Sequence, residues 1–481
     1  MRFRFAPSPT GYLHIGNVRT AIYNYLISKK YNASFVLRIE DTDMERSSRE
    51  SEQSILDDLK WLGIEWNEGP DVGGDFGPYR QSERFNIYKE YTERLIRDGK
   101  AYYCYCTQEE LDIMRRESLL RNDDPVYQGR CRELSNNEKK KFEAEGRKPS
   151  VRFRLPKEET IIINDIIKGR VLFDSENIGG DFIITRPDGI PVYNYIVTID
   201  DALMKISHVI RGEDHLSNTP KQMLIAHALN LPIPRYAHHA LVLGPDKSKL
   251  SKRHGITSVN MYRRNGYLPE AIVNYLAILG WTSKSGEEIM PIDEIIKEID
   301  IEDLSNKPAV FDFQKLKWIN GHYIRNSPLN DITELSLPFI MDEGYCLDET
   351  DKDWLQKVIS LLQGKCDLLS DISNLAGIFL KDVQEPDEEA DELLNQEESK
   401  IIIEKLYTII SDDLDMNNFA NDLINRIKEN TSIKGKKLFM PLRAVLTGKL
   451  KGPELDKAIE LIGFAKSKER ISYFYDKYAN K

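Results

Sequence analysis

The chain has 481 residues, 41% hydrophobic and 30% charged, with a formal net charge of −11. That length exceeds one ordinary core, no apolar run reaches the length of a membrane span, and five cysteines are too few for a disulfide framework. Net acidity argues against an indiscriminate nucleic-acid binder, and the opening MRFRFAPSPT lacks the apolar core of a signal peptide, so a cytoplasmic protein is expected.

Residues 2–5, RFRF, alternate as a short strand, which Pro7 and Pro9 end and Gly11 turns. From Gly16 the apolar positions Val18, Ala21, Ile22, Tyr25 and Leu26 recur at helical spacing. The turn therefore brings His14, Gly16 and backbone N–H groups to a helix N-terminus, where an anion is favoured and a phosphate is the leading candidate. ASFVLRIED reads as a strand. SSRESEQSILDDLKWLG reads as a Ser-capped helix stopped at Gly63, and SERFNIYKEYTERLIRDG as a second capped helix stopped at Gly99. This β-α-β-α order favours a parallel sheet covered by helices.

The rhythm breaks at 104. Residues 104–190 carry three cysteines and the β-rich SVRFRLP, TIIINDII and GRVLFD, as an insertion with its own small sheet would. The α/β pattern resumes with VYNYIVTIDDAL, where Tyr193 also suits a half-buried strand, and with ISHVIRGEDHLSNTPKQ and HHALVLG. The loop GPDKSKLSKRHG, 244–255, then places three lysines and an arginine within seven residues, interleaved with serine and glycine. A solvated basic loop is the plain reading; the alternative is a mobile loop closing over a polyphosphate, its lysines acting as point charges. Residues 260–325 read as mostly helical, and amphipathic helices continue to 481. Within them, 382–398 hold nine acids without a Lys or Arg, and 433–452 hold six cations without an acid. The basic stretch suits either solvent or an RNA backbone. His208, His215, His227 and His322 form no constellation and read as core or surface residues, as do Cys346 and Cys366.

Taken together, HIGN (14–17) resembles the His-Ile-Gly-His element of class I aminoacyl-tRNA synthetases, and KLSKR (249–253) their Lys-Met-Ser-Lys-Ser loop. RFAPSPTGYLHIGN, RIEDTD (38–43), GPYRQSER (77–84) and VIRGEDHLSNTPKQ (209–222) narrow the resemblance to the bacterial glutamyl-tRNA synthetases, over essentially the whole chain. The resemblance implies an α/β, Rossmann-like catalytic domain (1–103 and 191–258) interrupted by an acceptor-end-binding insertion (104–190). A helical stem-contact domain (259–325) and an all-helical anticodon-binding domain (326–481) would follow.

It also implies roles. Arg4, Ala6, Ser8, Glu40, Tyr193 and Arg211 would hold L-glutamate, with Glu40 on the ammonium. Thr10, His14, Gly16, Asn17, Lys249, Ser251 and Lys252 would hold ATP, with His14, Lys249 and Lys252 acting on the phosphates and Mg²⁺ neutralising pyrophosphate. Asn17 stands where the general motif has histidine. Read alone, Arg4 is a strand-surface charge and Arg211 an ion-pair partner of Glu213 or Asp214. Cys104, Cys106 and Cys131 with Tyr127 match a structural Zn²⁺ site of the family, although Glu133 stands where some relatives have a histidine ligand. The implied partners are tRNA(Glu) and L-glutamate, in a monomer. Lys365, where an arginine separates anticodons, lacks the planar fork and favours attachment to tRNA(Gln) as well. The rival readings are a glutaminyl enzyme or tRNA-modifying relative, a small-molecule nucleotidylyltransferase, and a non-enzymatic RNA-binding scaffold.

Overall fold

A computed structural model of the chain describes residues 1–345, 351–411, 414–416 and 418–480, with Lys252 in its backbone only; Cys346 lies outside the described residues. The chain forms two compact units, 1–262 with 269–313, and 263–268 with 314–481.

In the first unit β1 (Arg2–Phe5) leads through the proline turn into α1 (Ile15–Lys30), which returns to β2 (Ser34–Leu37), parallel to β1 with Phe3 opposite Phe35. The helix α1 is buried around most of its girth, Arg19 and Asn24 included. α2 (Arg49–Trp61) starts at Ser48, whose side chain accepts the Ser51 amide N–H, as the sequence indicates. α3 (Phe85–Arg97) corrects the second capped helix: no side chain caps it, because Ser82 gives both its amide and its hydroxyl to Asp41, at 2.8 and 2.6 Å.

β3 (Ala101–Cys104), which starts ahead of the break read at 104, is followed by α4 (Gln108–Leu120), α5 (Asn136–Ala144), β4 (Ser150–Phe153), β5 (Thr160–Asp165), β6 (Gly169–Asp174) and β7 (Ile183–Thr185). β3, β4 and β7 make one antiparallel sheet, and β5 with β6 a hairpin. The chain then enters α6 (Tyr193–Leu203), so Tyr193 begins a helix rather than sitting in a strand. Its run of Tyr, Ile, Val and Thr has strand propensity, yet Tyr195, Ile196 and Ile199 recur at helical spacing and are buried.

β8 (His208–Gly212), α7 (Thr219–Ala228) and β9 (Arg235–His239) form a second parallel unit. It joins the first where the Arg2 amide donates to Ser207 Oγ at 2.7 Å and the Ser207 amide to the Arg2 carbonyl at 3.1 Å. β10 (Val242–Leu243) pairs in parallel with β11 (Ala309–Val310), a two-residue strand too short to leave a pattern in the mostly helical region read at 260–325. Between them lie α8 (Val259–Arg264), α9 (Pro269–Ile278) and α10 (Ile292–Glu298).

The second unit is helical among its described residues. It holds α11 (Phe313–Asn326), α12 (Leu329–Asp342), α13 (Lys352–Leu362), α14 (Leu369–Leu380), α15 (Glu388–Leu394), α16 (Glu397–Ile410), α17 (Phe419–Glu429), α18 (Lys436–Thr447) and α19 (Leu455–Phe474). No helix of the described residues is long and apolar enough to cross a membrane. Cys366 is fully buried here. A buried cation closes the helix ends: Arg470 of α19 donates to the carbonyls of Lys381, Asp382 and Leu446, and Lys466, one turn earlier, to those of Phe379 and Leu380. Those of Phe379, Leu380 and Leu446 are terminal carbonyls that α14 and α18 cannot satisfy internally, and Lys381 and Asp382 follow α14 directly. No carboxylate pairs with Arg470 among the described residues, and burial lowers its pKa to about 10. Arg470→Met strands three carbonyls at once and is expected to destabilise the helical unit by about 3 kcal/mol. The check is urea unfolding of the full chain, with Lys466→Met, at the partly exposed position, expected to cost about 1 kcal/mol.

Candidate active site

A cavity of about 760 Å³ opens where the loops after β1, β2, β8 and β10 converge. Among its lining residues are Arg4, Ala6, Ser8, Thr10, His14, Gly16, Asn17, Glu40, Tyr193, Arg211, Lys249 and Ser251. The structure thus gathers every candidate for the glutamate and ATP sites except Lys252, whose side chain lies outside the described residues.

Arg4 is no surface charge. It is buried, and its guanidinium lies against Asp201, Nε to Oδ1 at 3.2 Å and Nη2 to Oδ2 at 3.5 Å. Asp201 also accepts from Arg38 Nη1 at 2.7 Å, while the neighbouring Asp200 accepts from Arg84 Nε at 2.7 Å, Gln81 at 2.8 Å and the Tyr88 hydroxyl at 2.8 Å. Arg38 reaches onward to Glu40 at 3.2 Å. Burial nevertheless pushes the Glu40 carboxyl up to about 7, against the pull of Arg38 and Arg4.

Arg211 differs in kind. Glu213 pairs with Lys168 and Asp214 with Lys249, so neither forms the ion pair with Arg211 that sequence alone allows. Its partners are neutral: Nε donates to His238 Nε2 at 3.1 Å, and Nη2 to Thr219 at 2.8 Å and Gln222 at 2.9 Å. Nη1 is buried without a hydrogen-bond partner among the described residues. The cavity wall therefore carries a guanidinium with a donor to spare and, among the described residues, no carboxylate paired with it. Tyr193 stands nearby, its hydroxyl 3.2 Å from His215 Nδ1, and burial raises its pKa to about 12. His215, read from sequence as core or surface, lines this cavity; burial and the adjacent Arg211 lower its pKa to about 4, which keeps it neutral.

On the opposite side His14 is the N-cap of α1, with Nδ1 accepting the Gly16 amide N–H at 3.1 Å. In a neutral ring that bond puts the proton on Nε2. A side chain at 16 would place its Cβ 3.3 Å from His14 Nδ1, so the imidazole would have to shift to admit one. The basic loop folds around Asp246, which accepts from the Ser248 amide and hydroxyl, from Arg253 and from His254. Lys249 escapes this knot and reaches Asp214 at 2.8 Å.

The three cysteines also converge. The Sγ atoms of Cys104, Cys106 and Cys131 lie within 4.8 Å of one another, with Cys106 and Cys131 at 3.5 Å. Bonds of about 2.3 Å in a tetrahedral zinc site put sulfurs about 3.8 Å apart, so the spacing fits. The Tyr127 oxygen is 3.5 Å from Cys104 Sγ and 4.0 Å from Cys106 Sγ, and the Cys131 amide fixes it at 2.8 Å. Glu133 turns instead to Arg154 at 2.5 Å, its side chain 80% exposed. Lys365, in the helical unit, donates to the Gly452 carbonyl at 3.0 Å, in the basic stretch.

Sequence reasoning missed Asp200, Asp201, Asp165 and His238. A signal existed for the first two, since adjacent acids inside the apolar run VYNYIVTIDDAL must find cations if that run is buried. None existed for Asp165 and His238, which are 73 residues apart and meet at 2.6 Å.

With this geometry in hand, comparison with known proteins is direct. Residues 1–318 match the catalytic domain of the class I tRNA synthetases (E and Q), and residues 331–475 an anticodon-binding domain. A glutamate–tRNA ligase of Carboxydothermus hydrogenoformans is 48% identical over 99% of this chain and 100% of its own length. Glutamate–tRNA ligase 1 of Caldicellulosiruptor saccharolyticus is 47% identical over 98% of this chain and 99% of its own. The crystal structure of a glutamate tRNA ligase from Elizabethkingia meningosepticum, in complex with its amino acid, superposes with a TM-score of 0.87 at 35% identity, covering 99% of both chains. By its catalytic domain, its anticodon-binding domain and these full-length relatives, the chain belongs to the glutamate–tRNA ligases of the class I tRNA synthetases.

Proposed function

We propose that the chain attaches L-glutamate to tRNA(Glu) in two steps within the cavity. The glutamate α-carboxylate attacks the α-phosphorus of ATP and pyrophosphate leaves. A terminal ribose hydroxyl of the tRNA then attacks the mixed anhydride and AMP leaves. Class membership implies ATP, used with Mg²⁺, as co-substrate. The observation that carries the reading is Arg211: a buried, uncompensated guanidinium with an unused donor suits an anionic side chain and leaves a neutral amide poorly paired. Arg4, already shared with Asp201, contributes position more than charge, and Glu40 takes the ammonium. Ala6, Ser8 and Tyr193 close the amino-acid side. His14, Gly16, Asn17 and Thr10 meet the phosphates at the α1 N-terminus, and Lys249 with Ser251 approaches from the loop that also carries Lys252, its charge growing in value as pyrophosphate departs. The insertion holds the acceptor end, and Lys365 lies in the part of the chain that meets the anticodon.

The first test is glutamate attachment to tRNA(Glu) and tRNA(Gln) transcripts side by side. Charging of tRNA(Glu) is expected, with tRNA(Gln) charged as well if Lys365 relaxes the choice. Lys249→Ala should slow attachment about 10²–10³-fold in a folded protein. Unchanged turnover would remove the loop from the chemistry.

Glu40 ties binding to pH. With its carboxyl near 7, the protein binds a proton there as pH falls, and a protonated Glu40 loses the charge that pairs with the substrate ammonium. Glutamate affinity should be full above pH 8 and weaken below 7, approaching tenfold per pH unit. Calorimetric titration of the Glu40→Gln protein should show weak binding with no such slope.

Cys104, Cys106, Cys131 and Tyr127 are the residues that would hold Zn²⁺, as a structural clamp within the insertion. Thiol-to-thiol contacts pull the Cys104 pKa down and push that of Cys106 up, so the cluster already favours a thiolate. Elemental analysis should find one zinc per chain, lost in Cys131→Ser and retained in Glu133→Gln.

A further inference from the structure

Arg211 and Asp165 do not touch, yet a continuous chain of hydrogen bonds runs between them. Arg211 on β8 and His238 on β9 are partners in the parallel register. The guanidinium can only donate, so the His238 Nε2 it meets at 3.1 Å must carry a lone pair. The ring proton then sits on Nδ1, which lies 2.6 Å from Asp165 Oδ2. His238 is fully buried; burial and the neighbouring Arg211 lower its pKa against the pull of the Asp165 bond, and the Arg211 donor facing Nε2 selects the tautomer. Asp165, the last residue of β5 in the insertion, is itself held by the amides of Ile167, Lys168 and His238 at 3.0, 2.8 and 3.2 Å. These bonds anchor the β5–β6 turn against β9.

We propose that Asp165 is a positioning residue for amino-acid recognition: it fixes the His238 tautomer whose Nε2 lone pair holds Arg211, leaving Nη1 for the anionic substrate group. The inference rests on the reading of Arg211 given above. It makes a residue of the inserted segment part of the specificity of the amino-acid pocket, two side chains away from the substrate.

Asp165→Asn separates this role from a structural one. The remaining amide oxygen can keep the three backbone bonds, so the turn stays anchored. The new NH₂ donates to His238 Nδ1, drives the proton to Nε2 and sets it against the Arg211 Nε–H, a donor facing a donor. In steady-state attachment of glutamate to tRNA(Glu), the KM for L-glutamate is expected to rise at least about tenfold while the KM for ATP changes less than about twofold, and the preference for glutamate over glutamine in kcat/KM should fall. A glutamate KM that does not move in the folded variant, or glutamate and ATP KM values rising together, would overturn the proposal. A parallel Arg211→Met measurement tells two failures apart. If that variant leaves the glutamate KM unchanged, the reading of the pocket falls. If it raises the KM and Asp165→Asn does not, only the relay falls. Should Asp165→Asn not fold, His238→Gln, whose amide oxygen can still accept from Arg211, is expected to raise the glutamate KM less than His238→Leu; equal effects would overturn the relay.

Discussion

The catalytic unit depends on one buried lattice of charge. Asp200 and Asp201, adjacent on α6, sit between Arg4 of β1, Arg38 beyond β2 and Arg84 before α3. Isolated in the interior each charge would be prohibitive, and removal of one member of such a group costs about 3–5 kcal/mol. The three arginines precede the insertion and the two acids follow it. The lattice therefore ties the residues before the intervening segment to those after it, beside the Arg2–Ser207 bonds. It also aims Arg4 and, through Arg38, holds Glu40 at the cavity wall.

The same lattice divides the electrostatic work of the site. Arg4 and Arg38 are neutralised by the aspartates and act as rigid donors. Arg211 is held by a histidine, a threonine and a glutamine, so its charge is left for the ligand. Arg4 and Arg211, which line one cavity, thus have different partners, although nothing in their immediate sequence distinguishes them. In the basic loop the division recurs. Arg253 is consumed in folding the loop around Asp246, whereas Lys249 spans outward to a single carboxylate on the cavity rim. A lysine held by one exposed carboxylate costs little to transfer to a polyphosphate, because surface ion pairs contribute at most about 1 kcal/mol.

The insertion is more than an appended module. Its β5–β6 turn supplies Asp165 to His238 and Lys168 to Glu213, and Glu213 in turn accepts the Leu241 amide at 3.0 Å just before β10. One turn thereby buttresses both the amino-acid wall and the strand that leads into the basic loop. Its cysteine cluster lies at the end of β3, at the root of the small antiparallel sheet.

Local features were legible because they are written in consecutive residues. The strand, proline turn and α1, the Ser48 cap, the basic loop and the helical remainder each follow from spacing or backbone restriction. The candidate cavity residues were legible too, through motifs in order. Partnership was not. Whether Arg4 is exposed or neutralised, whether Arg211 pairs with Glu213 or with none, whether Ser82 caps α3 or binds Asp41, and where His215 and His238 point all depend on atoms tens to hundreds of residues away. The helix at Tyr193 was ambiguous for a related reason, since β-branched and aromatic residues suit a strand until burial selects the helical period. By itself, then, the sequence determined the local turns, helix starts and the set of chemical groups available. Only the tertiary structure decided which charges are neutralised and which remain for the ligand, because in a buried site that outcome is set by long-range pairing and desolvation, neither of which is encoded in neighbouring residues.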